Sequence, residues 1–201
     1  MRTSLLAALA SSLIALSAAA QNTNFDHLVL QPNGFAEHSY CSWKAHEGLA
    51  DSTGTKDQAL YFQKMTSSAT FAAGVAVVEG VEGLSSNQLT GLSFYVRSDS
   101  HCGAGAPRWN VRVKPAVGPS MTTFLGCAAM APGDLMTAPN GDVYQRRTVI
   151  LPIPPGTITS LSIVFDEGDE VGPGYAFLDN VTVEVSGVPH VWTSAADNGN
   201  N

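Results

Sequence analysis

The sequence Trp109-Asn110-Val111-Arg112-Val113-Lys114 carries the clearest mark of the fold. Apolar and polar residues alternate strictly across it, which puts one face of an extended chain in a core and the other in water. A helix would need its apolar residues three and four apart. Working outward, Leu92 to Arg97 is β-rich and mostly alternating, Leu161 to Phe165 is apolar except for Ser162, and Val181 to Val185 alternates again. Less regular strands are expected at 25–30, 59–64, 70–78, 122–125 and 144–151. No long segment repeats apolar residues at helical spacing between a cap and a terminal Gly.

The connections agree with this reading. Gly and Pro recur between the strands, at 80–83, 103–107, 115–119, 132–133, 140–141, 154–156 and 172–174. Gly supplies positive φ and Pro removes a ladder donor, so neither sits comfortably inside a strand. Short strands so punctuated predict an all-β protein, a single antiparallel sandwich or barrel over residues 21–187. The polar ending, 188–201, is expected to be a frayed tail beyond it.

The N-terminus reads as a targeting segment. Met1-Arg2-Thr3-Ser4 precedes a mainly apolar run from Leu5 to Leu16 that closes on Ser17-Ala18-Ala19-Ala20. A basic start, a short apolar core and a small-residue exit are the parts of a secretory signal peptide, here residues 1–20. The expected location is therefore secreted, extracellular or periplasmic. A formal charge of −7 without a basic cluster disfavours nucleic acid and anionic membranes, both of which call for Lys and Arg. Neutral glycans, cations and other proteins stay open as partners. Cys41, Cys102 and Cys127 would enter an oxidising compartment. A Cys102–Cys127 bridge is favoured because each sits beside a Gly at a strand edge, which leaves Cys41 over, as a buried small hydrophobe in preference to an exposed, reactive thiol.

Chemistry-bearing residues fall in a few segments. Ser100 to Val111 carries His101, then alternating Gly and Ala that let the backbone pass close to a ligand or another strand, then Arg108 and Asn110 on one face of a strand with Trp109 on the other. Arg108 and Asn110 could hydrogen-bond a sugar or carboxylate; a disulfide-pinned turn is the alternative. Tyr40 and Trp43 are candidate stacking aromatics, although Trp43 could equally fill the core. Asp166, Glu167, Asp169 and Glu170 crowd a Gly-containing loop, and Asp179 interrupts an apolar strand, where a carboxylate must find donors or a metal. Asp166, Asp169 and Asp179 are thus candidate calcium ligands, with a solvated loop and backbone amides as the competing explanations. The five histidines show no close metal spacing, and no Gly-x-Ser-x-Gly elbow occurs.

Leu178-Asp179-Asn180-Val181-Thr182-Val183, preceded by Asp166-Glu167-Gly168, resembles the closing strand of jelly-roll carbohydrate-binding modules and galactose-binding-like domains. His101 to Arg108 and Phe124 to Cys127 resemble a pattern of secreted proteins without an assigned function. The resemblance implies a jelly-roll sandwich with a structural calcium beside Asp179. The leading functional expectation is a secreted, non-catalytic binding protein for a glycan or polysaccharide. A polysaccharide-active lyase or glycoside hydrolase, and a structural surface protein without a small ligand, are the alternatives.

Overall fold

The computed structural model describes residues 27–51, 54, 56–167 and 174–199. The expected signal peptide and Asp169 lie outside these residues. Among them, no helix is long and apolar enough to cross a membrane. The strands are β1 (Val29–Phe35), β2 (Tyr40–Lys44), β3 (Ala59–Lys64), β4 (Ala73–Glu79), β5 (Leu89–Arg97) and β6 (Arg108–Lys114). They continue with β7 (Met121–Gly126), β8 (Ala131–Thr137), β9 (Val143–Thr148), β10 (Thr157–Phe165), β11 (Gly174–Val185) and β12 (Val188–Trp192).

The smaller sheet has the order β1-β4-β10-β6-β7 and the larger β2-β3-β11-β5-β9-β8, every pairing being antiparallel. The chain passes from one sheet to the other repeatedly, so the two sheets share one core, and the expected antiparallel β-sandwich is what forms. Strand β6 alternates as read: Trp109, Val111 and Val113 are buried, while Arg112 and Lys114 are exposed. Trp109 packs beside Phe94 of the opposite sheet, ring centroids 6.3 Å apart. Leu30, Phe62, Leu92, Val111, Ile163 and Leu178 belong to the same interior cluster.

One strand needed a device that alternation alone does not reveal. In β11, Ala176 and Leu178 face inward, and so do Val181, Val183 and Val185. The phase changes at Asp179-Asn180, where the register with β5 shifts between Asp179 and Thr182. This bulge inserts one residue, and without it the three valines would face water. Asn180 takes the left-handed conformation at φ 44°, which Asn tolerates better than most residues.

The ending departs from expectation. Residues 188–192 pair with Val181–Val185 of β11 as β12, and Trp192 is wholly buried. Val188, Pro189 and Val191 face out while His190 and Trp192 face in, a half-buried pattern that the polar residues beyond it had masked. Strands β2 and β8 were also not expected. Strand β8 is almost entirely exposed, so no burial pattern marked it.

The Cys102–Cys127 disulfide forms, and Cys41 is a buried free thiol, as read. Burial raises the Cys41 thiol well above its usual pKa, so it stays protonated and inert. The bridge closes a sequence separation of 25 residues, worth about 3.5 kcal/mol by loop entropy. A Cys102→Ala/Cys127→Ala double variant is expected to lose roughly that much in urea unfolding; an unchanged midpoint would mean that the loop is held by its other contacts alone.

Candidate functional site

The outer face of the larger sheet carries an aromatic basin of about 340 Å³. Tyr40 on β2, Tyr61 on β3, and Tyr175 and Phe177 on β11 all project there, because Tyr61 stands opposite Phe177 and Gln63 stands opposite both Tyr40 and Tyr175. Ring centroids lie 5.8 Å apart for Tyr40–Tyr61, 4.6 Å for Tyr61–Phe177 and 6.4 Å for Tyr61–Tyr175. Tyr61 is the hub. Burial raises its phenol pKa, and Tyr40 and Tyr175 add to the shift while Arg97 opposes it. The three tyrosines are half-buried, so part of each ring meets solvent while Phe177 floors the basin.

Charged groups rim the basin. The Lys44 ammonium lies 5.5 Å from the Tyr40 ring centre and 5.6 Å from that of Tyr61. Arg97 Cζ lies over the Phe177 ring, 3.6 Å from its centre, and the guanidinium is fixed by Glu47 (2.6 Å), Asp99 (2.6 Å) and Asp142 (2.9 Å). The Tyr175 hydroxyl donates to Asp99 at 3.1 Å. Burial raises the Tyr175 phenol pKa, and that hydrogen bond adds to the rise, so the phenol stays a neutral donor.

One wall of the basin is the segment that follows β2, and Asp179 is what seats it. Both Asp179 oxygens accept backbone N–H groups, from Leu49 at 2.6 Å and Asn180 at 2.6 Å. Gly48 permits this approach: a Cβ there would press on the Gln58 carbonyl and come within 2.6 Å of Asp179 Oδ2. The Tyr144 hydroxyl donates to the Glu47 carbonyl at 2.5 Å, which places Glu47 beside Arg97. Asp179 is wholly buried, and burial pushes its pKa up to about 7, against the pull of the two N–H groups.

The second concavity, a groove of about 610 Å³, opens at one end of the outer face of the smaller sheet. Arg108 and Asp166 meet there in a fork, Nη1–Oδ1 at 2.5 Å and Nη2–Oδ2 at 2.6 Å. Arg108 also donates to Asn110 Oδ1 at 3.0 Å and to the Gly105 carbonyl at 2.6 Å. Next to them His101 Nε2 and Glu167 Oε2 lie 2.5 Å apart. The alternating glycines now have a cause: a Cβ at Gly105 would collide with the Glu167 carboxylate, and one at Gly103 with His101 and Glu167. The disulfide and the Ala128 N–H to Gly103 carbonyl bond (3.0 Å) hold that loop in place.

The expected binding residues therefore do not form one site. Tyr40 belongs to the basin, whereas Arg108 and Asn110 lie on the other sheet and line the groove. Trp43 joins neither; it shares the inward side of β2 with Cys41 and packs against the interior cluster. The acids expected to ligate calcium are also apart. Asp166 is taken by Arg108, Asp179 by two backbone amides, and Asp169 lies outside the described residues. No three His, Cys, Asp or Glu side chains are grouped to hold a metal among the described residues. What faces Asp179 there is N–H rather than the oxygens of a calcium shell. Tyr61, Tyr175, Phe177, Lys44 and Arg97 escaped the sequence reading. Tyr61 left a trace, since it alternates with buried Leu60 and Phe62 and so faces outward.

Compared with protein families, with curated proteins and with solved structures, the chain matches none.

Proposed function

We propose that the protein is a secreted, non-catalytic glycan-binding domain, and that a neutral sugar chain lies on the tyrosine basin. The observation that carries this reading is the cluster of Tyr40, Tyr61, Tyr175 and Phe177 on one sheet face. Half-exposed tyrosine rings offer flat apolar surface for the C–H face of a pyranose, and the Tyr40 and Tyr61 hydroxyls serve as polar handles while that of Tyr175 is engaged by Asp99. Lys44, Glu47 and Arg97 at the rim supply donors and acceptors for sugar hydroxyls, the usual composition of a small-ligand site. The rigid backing helps: Arg97 and Asp99 are mutually fixed before a ligand arrives, so little ordering entropy is lost on binding. Calorimetric titration with a panel of neutral α- and β-linked oligosaccharides tests this reading; saturable binding to at least one class is expected, and silence across the panel contradicts it.

A polysaccharide-active enzyme is the second reading, favoured by the meeting of Arg108, Asp166 and Glu167 at one groove with His101 beside them. Against it, Asp166 is held by Arg108 and Glu167 by His101, so neither carboxylate is free to act as a lone acid or base. Release of reducing ends or unsaturated products from a polysaccharide would establish the enzyme reading. The structural calcium implied by the resemblance has its own test: excess chelator lowers Tm if it is present and leaves Tm unchanged if it is not.

A further inference from the structure

The groove of the smaller sheet has a chemistry of its own, centred on Lys64. Lys64 alternates with Leu60 and Phe62 on the inward side of β3, so its stem runs into the interior and its ammonium ends in the groove. It is only 1% exposed. Its Nζ donates to the Thr70 carbonyl at 2.5 Å, and among the described residues it makes no ion pair within 4.0 Å. An ammonium carries three donors, so this one keeps donors to spare. Burial lowers its pKa, and the charge of Asp166 partly restores it. Beside it, Arg108 pairs with Asp166, and Glu167 shares a hydrogen bond with His101. Of the groove's two cations, Arg108 is paired with Asp166 and Lys64 has no ion pair among the described residues, in a chain of formal charge −7.

The remaining walls suit a ring. Phe35 and Phe71 stand 5.0 Å apart at the rim, and Phe71 is 85% exposed. A ring so exposed gains little for folding beyond its contact with Phe35, but it presents a stacking face. Asn110 accepts from Arg108 through Oδ1, which leaves its amide nitrogen to donate. We infer that this groove is a second binding site, for a carboxylate-bearing sugar of the uronate class, with the carboxylate on Lys64, the ring against Phe71 and a hydroxyl on Asn110. The bulk negative charge of the protein repels a long polyuronate at low salt, so the occupant is a short oligosaccharide or a chain end.

The inference extends the glycan reading to a different face, and the two fail separately. The probes are digalacturonate, its neutral counterpart digalactoside, and acetate as the bare carboxylate, titrated into the full protein. Digalacturonate is expected to bind at least about tenfold more tightly than either control, because digalactoside lacks the carboxylate for the charge pair with Lys64 and acetate lacks the ring for Phe71 and the hydroxyl for Asn110. Lys64→Gln should remove that preference, and Phe71→Ala should weaken uronate binding about fivefold at unchanged stability, its ring being solvent-exposed. Tyr61→Ala should leave uronate binding intact. The inference is overturned if digalacturonate binds no better than digalactoside, if acetate binds equally well, or if binding is lost in Tyr61→Ala. Should Lys64→Gln not fold, an unaltered uronate affinity in Phe71→Ala overturns it alone.

Discussion

Tyr61→Ala is expected to weaken neutral-glycan binding by about 30-fold or more, the loss of a central aromatic hot spot worth at least about 2 kcal/mol. The ring touches Tyr40, Tyr175 and Phe177 together, so truncating it opens the middle of the basin and removes support from both flanks. Tyr40 sits at the edge, in contact with Tyr61 and Lys44, and Tyr40→Ala should cost markedly less. Tyr61→Phe keeps the ring and loses only the hydroxyl, so it should bind within a few-fold of the wild type. Calorimetry on the three variants separates the two contributions. An alanine variant that binds as tightly as the phenylalanine variant would show that stacking on Tyr61 is not used.

The second large effect is on stability and follows from Asp179. Its folded pKa is pushed up to about 7, against an ordinary carboxylate value of 3.8. Between those values the folded protein holds a proton that the unfolded chain has released. Stability from this group is therefore fully present below about pH 4 and falls as pH rises through about 7, by up to roughly 4 kcal/mol. Asp99 works in the other direction: burial would raise its pKa, but the hydrogen bonds and charge of Arg97 outweigh this and lower it. That contribution is lost only as pH falls below the ordinary carboxylate range, so the two windows do not overlap. Maximum stability is expected at the acidic end of the working range, near pH 4 to 5. Asp179→Asn should flatten the fall above it, at the cost of leaving one of the two N–H groups facing an amide, roughly 1–3 kcal/mol. Urea unfolding from pH 4 to 8 reads both slopes; a wild-type stability that climbs across this interval, in parallel with the variant, would refute the assignment.

How far the sequence could be read depended on where the physical constraint lay. Strands β6, β10 and the second half of β11 were legible because one face of each is pressed into the core, and burial writes alternation into a sequence. Strand β8 carried no such signal, because its residues are almost all exposed and its place is set by pairing with β9. Strand β12 was masked by the polar residues that follow it, although Trp192 is an interior residue. At Asp179-Asn180 the pattern was visible as an interruption, but its cause, a bulge that re-phases three valines, depends on the partner strand.

The candidate site was less legible for a related reason. The rings of the basin come from segments 40–44, 59–64 and 174–185, and only the order β2-β3-β11 makes them neighbours. The sequence marks Arg108 as a candidate for binding a ligand and Asp166 as a candidate for binding calcium, but that they would neutralise each other required β6 and β10 to be adjacent. Gly103 and Gly105 mark a place of close approach, but what approaches is neither a ligand nor another strand: it is the Glu167 side chain, just beyond the end of β10. Trp43 illustrates the limit of residue type as a guide: its partner in alternation is Cys41, and both face the core.

The most direct test of the central claim is backbone amide chemical-shift mapping of the full protein during titration with the best-bound neutral oligosaccharide. Saturable shifts are expected only at Tyr40, Tyr61, Tyr175, Phe177 and the adjoining Lys44, Glu47 and Arg97, with Arg108 and Asn110 unmoved. Shifts centred on Arg108 and Asn110, with the tyrosine face silent, would contradict it.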